Sequence, residues 1–464
     1  MPVIMKKYNI SYLVFIAFIS ALGGYLFGYD WVVVGGAKPF YEIFFNITDA
    51  PSMQGWVMSS AILGCLIGVT ISGSLADKYG RKPLMLIASV IFIAAALGTG
   101  WVDSISWFIV YRLLGGIGIG IASNVAPMYI AEISPPDIRG RFVSINQLTI
   151  VLGILSAQIV NWLIADPVTP GENILTSWNG QMGWRWMFWA GAVPATLYLL
   201  FIFFIPESPR WSATHRLYDK AENVFARIGG QSFARTQISD LKKALLSDTD
   251  TSKVNYRLLF KGKMPKILLI GIVIAVFQQW CGINVIFNYA QEVFSSAGYS
   301  VSDILMNIVI TGVTNVIFTF VGMYLVDRIG RRALLLFGAI GLCMIYAVLG
   351  ACYYFQISGF AVLMLVVMAI ACYAMTLAPI TWVVISEIFP NKIRGMAMAV
   401  STFALWTACF ILTFTFPILN SSLGAYGTFW LYGLICLLGF VFTKKYLPET
   451  KGKSLEQIED ELSK

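Results

Sequence analysis

The chain carries the same three polar phrases, in the same order, once in each half. Asp77-Lys-Tyr-Gly-Arg-Lys82 returns as Asp327-Arg-Ile-Gly-Arg-Arg332, and Glu132-Ile-Ser-Pro-Pro-Asp-Ile-Arg139-Gly140 returns as Glu387-Ile-Phe-Pro-Asn-Lys-Ile-Arg394-Gly395. Pro206-Glu207-Ser208-Pro209-Arg210-Trp211 has a looser echo in Pro448-Glu449-Thr450-Lys451-Gly452. Each phrase sits in a short gap between long apolar runs. A repeat of that period is no solenoid unit. It predicts a duplicated bundle of membrane helices, a construction shared by many secondary transporters.

Composition supports a bilayer as the main solvent. Of 464 residues, 58% are hydrophobic and 12% charged, against roughly 25% charged in soluble domains. Twelve apolar segments are read at 9–36, 54–76, 83–101, 106–132, 140–166, 183–205, 264–294, 303–326, 332–352, 358–388, 393–419 and 425–446. Each is near the roughly 20 residues that cross a core of about 30 Å. The first runs past signal-peptide length and is followed by further spans, so it reads as a retained helix.

Of the 32 Lys and Arg, all but Lys38, Arg112 and Arg185 fall at the termini, in gaps after even-numbered segments, or at the segment ends bordering those gaps. The positive-inside rule then puts both termini in the cytoplasm, in a cell (inner) membrane. The net charge of +8 is therefore a topological signal and not a nucleic-acid footprint. The seven Cys lie in or beside apolar segments without Cys-x-x-Cys spacing, as small buried hydrophobes do. His215 is the only histidine and falls in a polar loop, which excludes a histidine metal cluster. No P-loop lysine motif and no nucleophile–base constellation is present, so neither ATP hydrolysis nor another enzymatic activity is expected, and no cofactor. Gly115-Gly116-Ile117-Gly118-Ile119-Gly120 fails the dinucleotide spacing and reads as a smooth face for close helix packing.

The expected division is a six-helix bundle over 1–206, a cytoplasmic linker over 207–262, a second bundle over 263–447 and a tail over 448–464. Tyr218–Ile228 and Gln237–Leu246 alternate apolar and charged residues at helical spacing, predicting short amphipathic helices. Leu455, Ile458 and Leu462 form one small apolar face on the tail.

With these phrases placed, the chain resembles the sugar porter branch of the major facilitator superfamily over nearly its whole length. The paired D-x-x-G-R-[RK] loops indicate the superfamily; the P-E-S-P-R-W, P-E-T-K-G and E-x6-R-G elements narrow it to sugar porters. Within the family the likeness is strongest to the bacterial D-xylose–proton symporter branch. It implies an all-α membrane protein of twelve helices in two pseudo-symmetric six-helix bundles, acting as a monomer that imports a monosaccharide together with a proton. A facilitative uniporter of the same fold, or a transporter-like sugar receptor, remains the alternative.

The loop charges read as a cytoplasmic gate made of Asp77, Arg81, Glu132, Arg139, Glu207, Asp327, Arg331, Glu387, Arg394 and Glu449. Asp77 with Arg81, or Glu132 with Arg139, can make charge-assisted hydrogen bonds at helix ends. Such bonds bias a conformational equilibrium only if one state makes them better than the other. Asp30 and Arg112 lie inside spans, where charges pair or line a watery cavity. Arginine is permanently charged whereas aspartate can change state, and the resemblance gives this pair the proton-coupling role.

Amides both donate and accept, which suits sugar hydroxyls. Gln147, Gln278, Gln279, Asn284 and Asn315 match substrate-binding positions of the family, as do Trp382 and Trp406, with Phe27 one turn before Asp30. On a straight helix Asn284 would point roughly 120° from Gln278; Gly282 between them allows a break that brings them together. Four positions depart from the xylose-symporter pattern and read as specificity positions. Ile154 and Leu405 stand where that branch has amides, Asn288 replaces a tyrosine, and Ala378 replaces a glycine. A pentose such as xylose or arabinose is expected slightly ahead of glucose or galactose.

Overall fold

The computed structural model describes residues 8–135, 137–169, 172–247, 259, 262, 264–389 and 394–451. Every regular element among them is helical. The first five spans are single long helices: α1 (Ile10–Phe44), α2 (Pro51–Tyr79), α3 (Arg81–Trp101), α4 (Ile105–Ile133) and α5 (Arg139–Ile164). The sixth opens on a π turn, Asn179–Gly183, and continues as α6 (Trp184–Ala190) and α7 (Ala192–Ile202). In the linker, α8 (Pro209–Thr214) starts on Ser208, whose hydroxyl accepts from Trp211 N, and α9 (Tyr218–Ser247) bends at Gly230. The two amphipathic stretches expected there are the two arms of α9. The tail face of Leu455, Ile458 and Leu462 lies outside the described residues.

The second half is more interrupted. Its first span is three pieces, α10 (Met264–Trp280), α11 (Ile283–Asn288) and α12 (Ala290–Ser295). Gly282 supplies the first break, in the left-handed region at φ 86, where a side chain would be strained. Tyr289 supplies the second at φ −124, ψ 32. Then follow α13 (Val301–Ile329), α14 (Arg331–Tyr354), and a span split at Thr376 into α15 (Phe360–Met375) and α16 (Leu377–Glu387). Pro379 follows that split closely, in the first turn of α16, where its missing N–H costs nothing. The continuous α17 (Arg394–Tyr446) holds the last two spans, separated by non-helical Gly424. Among the described residues eleven helices are apolar and long enough to cross a membrane, and the break at Gly424 divides the last and longest of them in two, in keeping with twelve spans.

Apolar segment ends differ from the helix ends mainly in α1, which continues past residue 36 through Lys38 and Glu42 to Phe44. Those charges read as a span boundary in sequence. In the structure they are buried against each other and against Glu292.

Two compact units emerge. The first gathers 1–31, 63–157 and 188–254; the second gathers 32–62, 158–187 and 255–464. Within the first, glycines bring backbones together: a Cβ on Gly64 or Gly68 would strike the Leu113 or Ile117 carbonyl, and one on Gly120 the Cys65 carbonyl. The glycine run of α4 is therefore a packing face. Likewise a Cβ on Gly28 would meet the Ile150 carbonyl and one on Gly153 the Tyr25 carbonyl, so α1 and α5 touch backbone to backbone. Thr149 Oγ1, donating 2.7 Å to the Ala21 carbonyl, adds a hydrogen bond to that seam.

Candidate functional site

In the first unit, Asp30 and Arg112 meet. Arg112 Nη1 donates to Asp30 Oδ1 at 3.0 Å, and both terminal nitrogens reach the Asp30 carbonyl at 3.4 Å. The Arg112 side chain is 2% exposed and that of Asp30 16%. The guanidinium also lies 5.9 Å from the Phe188 ring centroid. Asp30 Oδ2 has no protein partner. Gly115 faces that oxygen and leaves room beside it, since a Cβ there would come within 3.4 Å. A buried carboxylate with one paired and one unoccupied oxygen is a place where a proton can be held. Phe27 packs edge-on against Trp31, with ring centroids 5.9 Å apart. Gln147 and Ile154 are half-buried on α5.

In the second unit the amides form a directed chain. Asn284 Nδ2 donates to Gln279 Oε1, Gln279 Nε2 donates to Gln278 Oε1 at 3.3 Å, and Gln278 Nε2 donates to the Leu377 and Ala378 carbonyls at 3.4 and 3.3 Å. The Gly282 break turns Asn284 back onto Gln279, so Asn284 reaches Gln278 through its neighbour. At the chain's other end are the carbonyls of Leu377 and Ala378, in the first turn of α16 just after the split at Thr376. Two broken spans are thus joined by three amides, each able to make more hydrogen bonds than the chain uses. Trp280 Nε1 donates to the Ala408 carbonyl at 2.9 Å and fixes the end of α10.

The other candidates of that unit lie on neighbouring helices. Asn315 is buried in α13, Trp406 and Leu405 are buried in α17, and Trp382 is exposed on α16. Asn288 is buried with its side-chain oxygen unpartnered, and Ala378 contributes its carbonyl.

The repeated phrases build two matching clusters, one in each unit. In the first, Arg81 Nη2 bonds Glu132 Oε1 at 2.9 Å and Asp77 Oδ1 at 3.2 Å, while Nη1 donates to the Ala76 carbonyl. Glu207 accepts from the N–H groups of Arg81 and Lys82 at the start of α3, where a helix dipole favours negative charge. Ser208 Oγ donates to Glu132 Oε2. In the second, Arg331 Nη2 bonds Glu387 Oε1 at 3.1 Å, Nη1 donates to the Val326 carbonyl, Glu449 accepts from the N–H groups of Arg331 and Arg332, and Thr450 Oγ1 donates to Glu387 Oε2. Gly80 and Gly330, at φ 100 and 109, carry no side chain where Glu207 and Glu449 come in.

The sequence pairs Glu132 with Arg139; the structure gives Glu132 to Arg81 and Ser208, and leaves Arg139 exposed at the start of α5. The side chains of Asp327 and Arg394 lie outside the described atoms. The partnership of Ser208 and Thr450 with these carboxylates is marked in sequence only by the hydroxyl after Glu in both Pro-Glu phrases. Lys38, Glu42 and Glu292 were also missed. A Lys-x-x-x-Glu spacing after Gly35-Gly36 was their only local trace.

Burial pushes the Glu207 carboxyl up, more than the N–H groups of Ser208, Arg81 and Lys82 and the Arg81 charge bring it down. Burial also acts on Glu449, but N–H groups of Lys451, Arg331, Arg332 and Ala333 outweigh it and hold that carboxyl below its usual range.

Residues 16–462 match the family described as "Sugar (and other) transporter". The chain belongs to that family. As a sugar-transporter-family chain it is 36% identical to the D-xylose-proton symporter of Escherichia coli (strain K12), covering 98% of itself and 96% of that protein. It is 34% identical to the arabinose-proton symporter of Bacillus subtilis (strain 168), again over 98% of itself and 96% of the relative. Its fold matches the inward open conformation of the xylose transporter XylE from E. coli with a TM-score of 0.84 at 33% identity, over 97% of this chain and 99% of that one. The protein is thus a multi-pass membrane transporter of the major facilitator fold and not an enzyme.

Proposed function

We propose that this transporter imports a monosaccharide together with a proton, by alternating access, with both termini in the cytoplasm of a cell whose inner membrane it spans. The observation that carries proton coupling is the Asp30–Arg112 pair. Its carboxylate lies inside a span with one oxygen on a fixed cation and the other without a protein hydrogen-bond partner. Protonation of Asp30 releases Arg112, and the two pairing states belong to different stages of the cycle. At 100 mV one inward charge contributes about 2.3 kcal/mol, equivalent to roughly fifty-fold accumulation, since about 1.4 kcal/mol is tenfold.

Gln278, Gln279 and Asn284 bind hydroxyls through the remaining donors and acceptors of their amides, with Gln147 and Asn315 adding amides and Trp382, Trp406 and Phe27 adding apolar faces. Ile154, Asn288, Ala378 and Leu405 set which sugar fits. Similarity to a D-xylose and an arabinose symporter supports a pentose slightly ahead of a hexose. The monomer is the working unit. Its division into bundles over 1–206 and 263–447, a linker over 207–262 and a tail from 448 follows the apolar pattern. Each gate cluster latches one half at the cytoplasmic side.

The test is sugar-driven proton flux in proteoliposomes. Adding xylose or arabinose outside should alkalinise the external medium in step with labelled-sugar uptake. Sugar equilibration with no pH change would make the protein a uniporter instead.

A further inference from the structure

The end of α1 away from the N-terminus holds an arrangement that sugar recognition and proton coupling leave unused. Lys38 is 1% exposed, and its ammonium forms ion pairs with Glu42, one turn on at 2.8 Å, and with Glu292 on α12. It also lies 5.4 Å from the Tyr289 ring centroid. All four residues belong to the second compact unit. Gly35 packs against the Phe287 and Asn288 carbonyls, so α1 and the broken seventh span are in backbone contact just before the ion pair.

The segment that carries Glu292 is a short helix of its own. α12 is six residues long and is separated from α11 by the non-helical Tyr289, itself fixed by its hydroxyl's 2.6 Å bond to the Thr413 carbonyl. Rotation about Tyr289 would carry Glu292 away from Lys38. A buried ammonium left without a partner is strongly unfavourable. Glu42 removes that obstacle, because it rides on the same helix and stays with Lys38 whatever α12 does.

We propose that Lys38, Glu42 and Glu292 form an ionic lock on the outer side of the transport path, with Glu292 as the bolt and Glu42 as the keeper. Lys38–Glu292 holds the outer side closed. Lys38–Glu42 persists when α12 swings out to admit sugar. The lock rests on the alternating-access reading given above and adds the residues that govern one side of it.

The two carboxylates therefore have opposite predicted effects, which an ordinary structural ion-pair network would not give. Glu292→Gln removes only the closed-state bond and shifts the population toward the outer-open form. Glu42→Gln makes opening strand the ammonium and shifts the population toward the closed form. Spin labels at Thr48 and Ser296, both exposed, in a cysteine-free background would report the outer-end distance in nanodiscs. Glu292→Gln should raise the long-distance fraction about tenfold over its closed-state ratio. Glu42→Gln should lower that fraction and slow uptake by a similar factor. The Lys38→Glu, Glu292→Lys double variant should recover closure that each single reversal loses. Shifts in the same direction for both glutamine variants, or no shift in either, would overturn the lock. Sugar uptake by the unsubstituted protein is measured first, so that loss of the transport reading is seen separately. Should a glutamine variant fail to fold, Glu292→Asp and Glu42→Asp, which shorten each reach but keep its charge, carry the same opposite predictions.

Discussion

The two gate clusters and the two membrane centres of this duplicated chain have diverged to very different degrees. At the clusters, the same atoms do the same things: an Arg holds the Glu of the next phrase, a second Glu caps a helix start, and a hydroxyl completes the set. In the membrane the halves share almost nothing. The first holds a charge pair, Asp30 with Arg112, and the second a chain of neutral amides anchored on a broken helix. The difference separates two physical demands. On the roles proposed above, a latch works alike in both halves, while holding a proton takes a titratable group and holding a sugar takes neutral groups that both donate and accept.

The sharpest break in that comparison is Asp30→Asn. It should abolish accumulation against a gradient while leaving sugar binding within about tenfold, because the amide chain does not depend on Asp30. Accumulation retained in the variant, measured as labelled-sugar uptake under an imposed pH gradient, would remove the charge pair from coupling. Gln279→Ala should next weaken binding of every transported sugar by about tenfold or more. It leaves Asn284 and Gln278 without their shared partner, at a cost of about 1–3 kcal/mol for each stranded group; equilibrium sugar binding measures it. A loss confined to one sugar would make Gln279 a specificity position.

The clusters themselves differ in one respect that sharpens the comparison. Glu449 is held below its usual range, so it stabilises the fold at neutral pH and that stabilisation fades as pH falls through its lowered pKa. Glu207 is pushed up, so its ionisation costs stability as pH rises through the interval from its ordinary to its raised value. Glu449→Gln should therefore destabilise the purified protein by about 1.5–3 kcal/mol at neutral pH. Glu207→Gln should cost less, and its difference from the parent should shrink as pH rises, opposite to that of Glu449→Gln. Thermal melts across about pH 4–7 read both slopes, and slopes of equal sign would erase the distinction. The smallest expected effect is Leu405→Gln, a change in the order of sugars in competition uptake with affinity altered only a few-fold. An unchanged order would show that this position does not read the sugar.

Most of the fold was legible because a bilayer leaves a long apolar run few alternatives to a helix. The Gly282 break was legible too, since glycine announces it. Breaks at Tyr289 and Thr376 were not, because neither residue has a backbone preference that marks a helix end in advance. The extension of α1 was hidden for a different reason. Lys38 and Glu42 look like a water-facing boundary until Glu292, far away in sequence, is set against them. Likewise the repeated loop charges were readable as partners at helix ends, but sequence pairs Glu132 with Arg139 whereas in space Arg81, one helix earlier, holds it. The directed amide chain depends on side-chain orientation across two helix breaks, which no spacing rule carries.

The backbone seam between α1 and α5 has a consequence for how a proton and a sugar could influence each other. Gly28 and Gly153 interlock with the carbonyls of Ile150 and Tyr25, and Thr149 is bonded to Ala21, so neither helix can slide along the other near Asp30. Asp30 and Gln147 then ride on one stiff lever. A tilt begun at the carboxylate displaces the amide by the same motion, and on the role proposed for Gln147 a sugar held there would resist the tilt. Reciprocal influence between the two ligands needs no relay of intermediate side chains, only the absence of two methyl groups at positions 28 and 153.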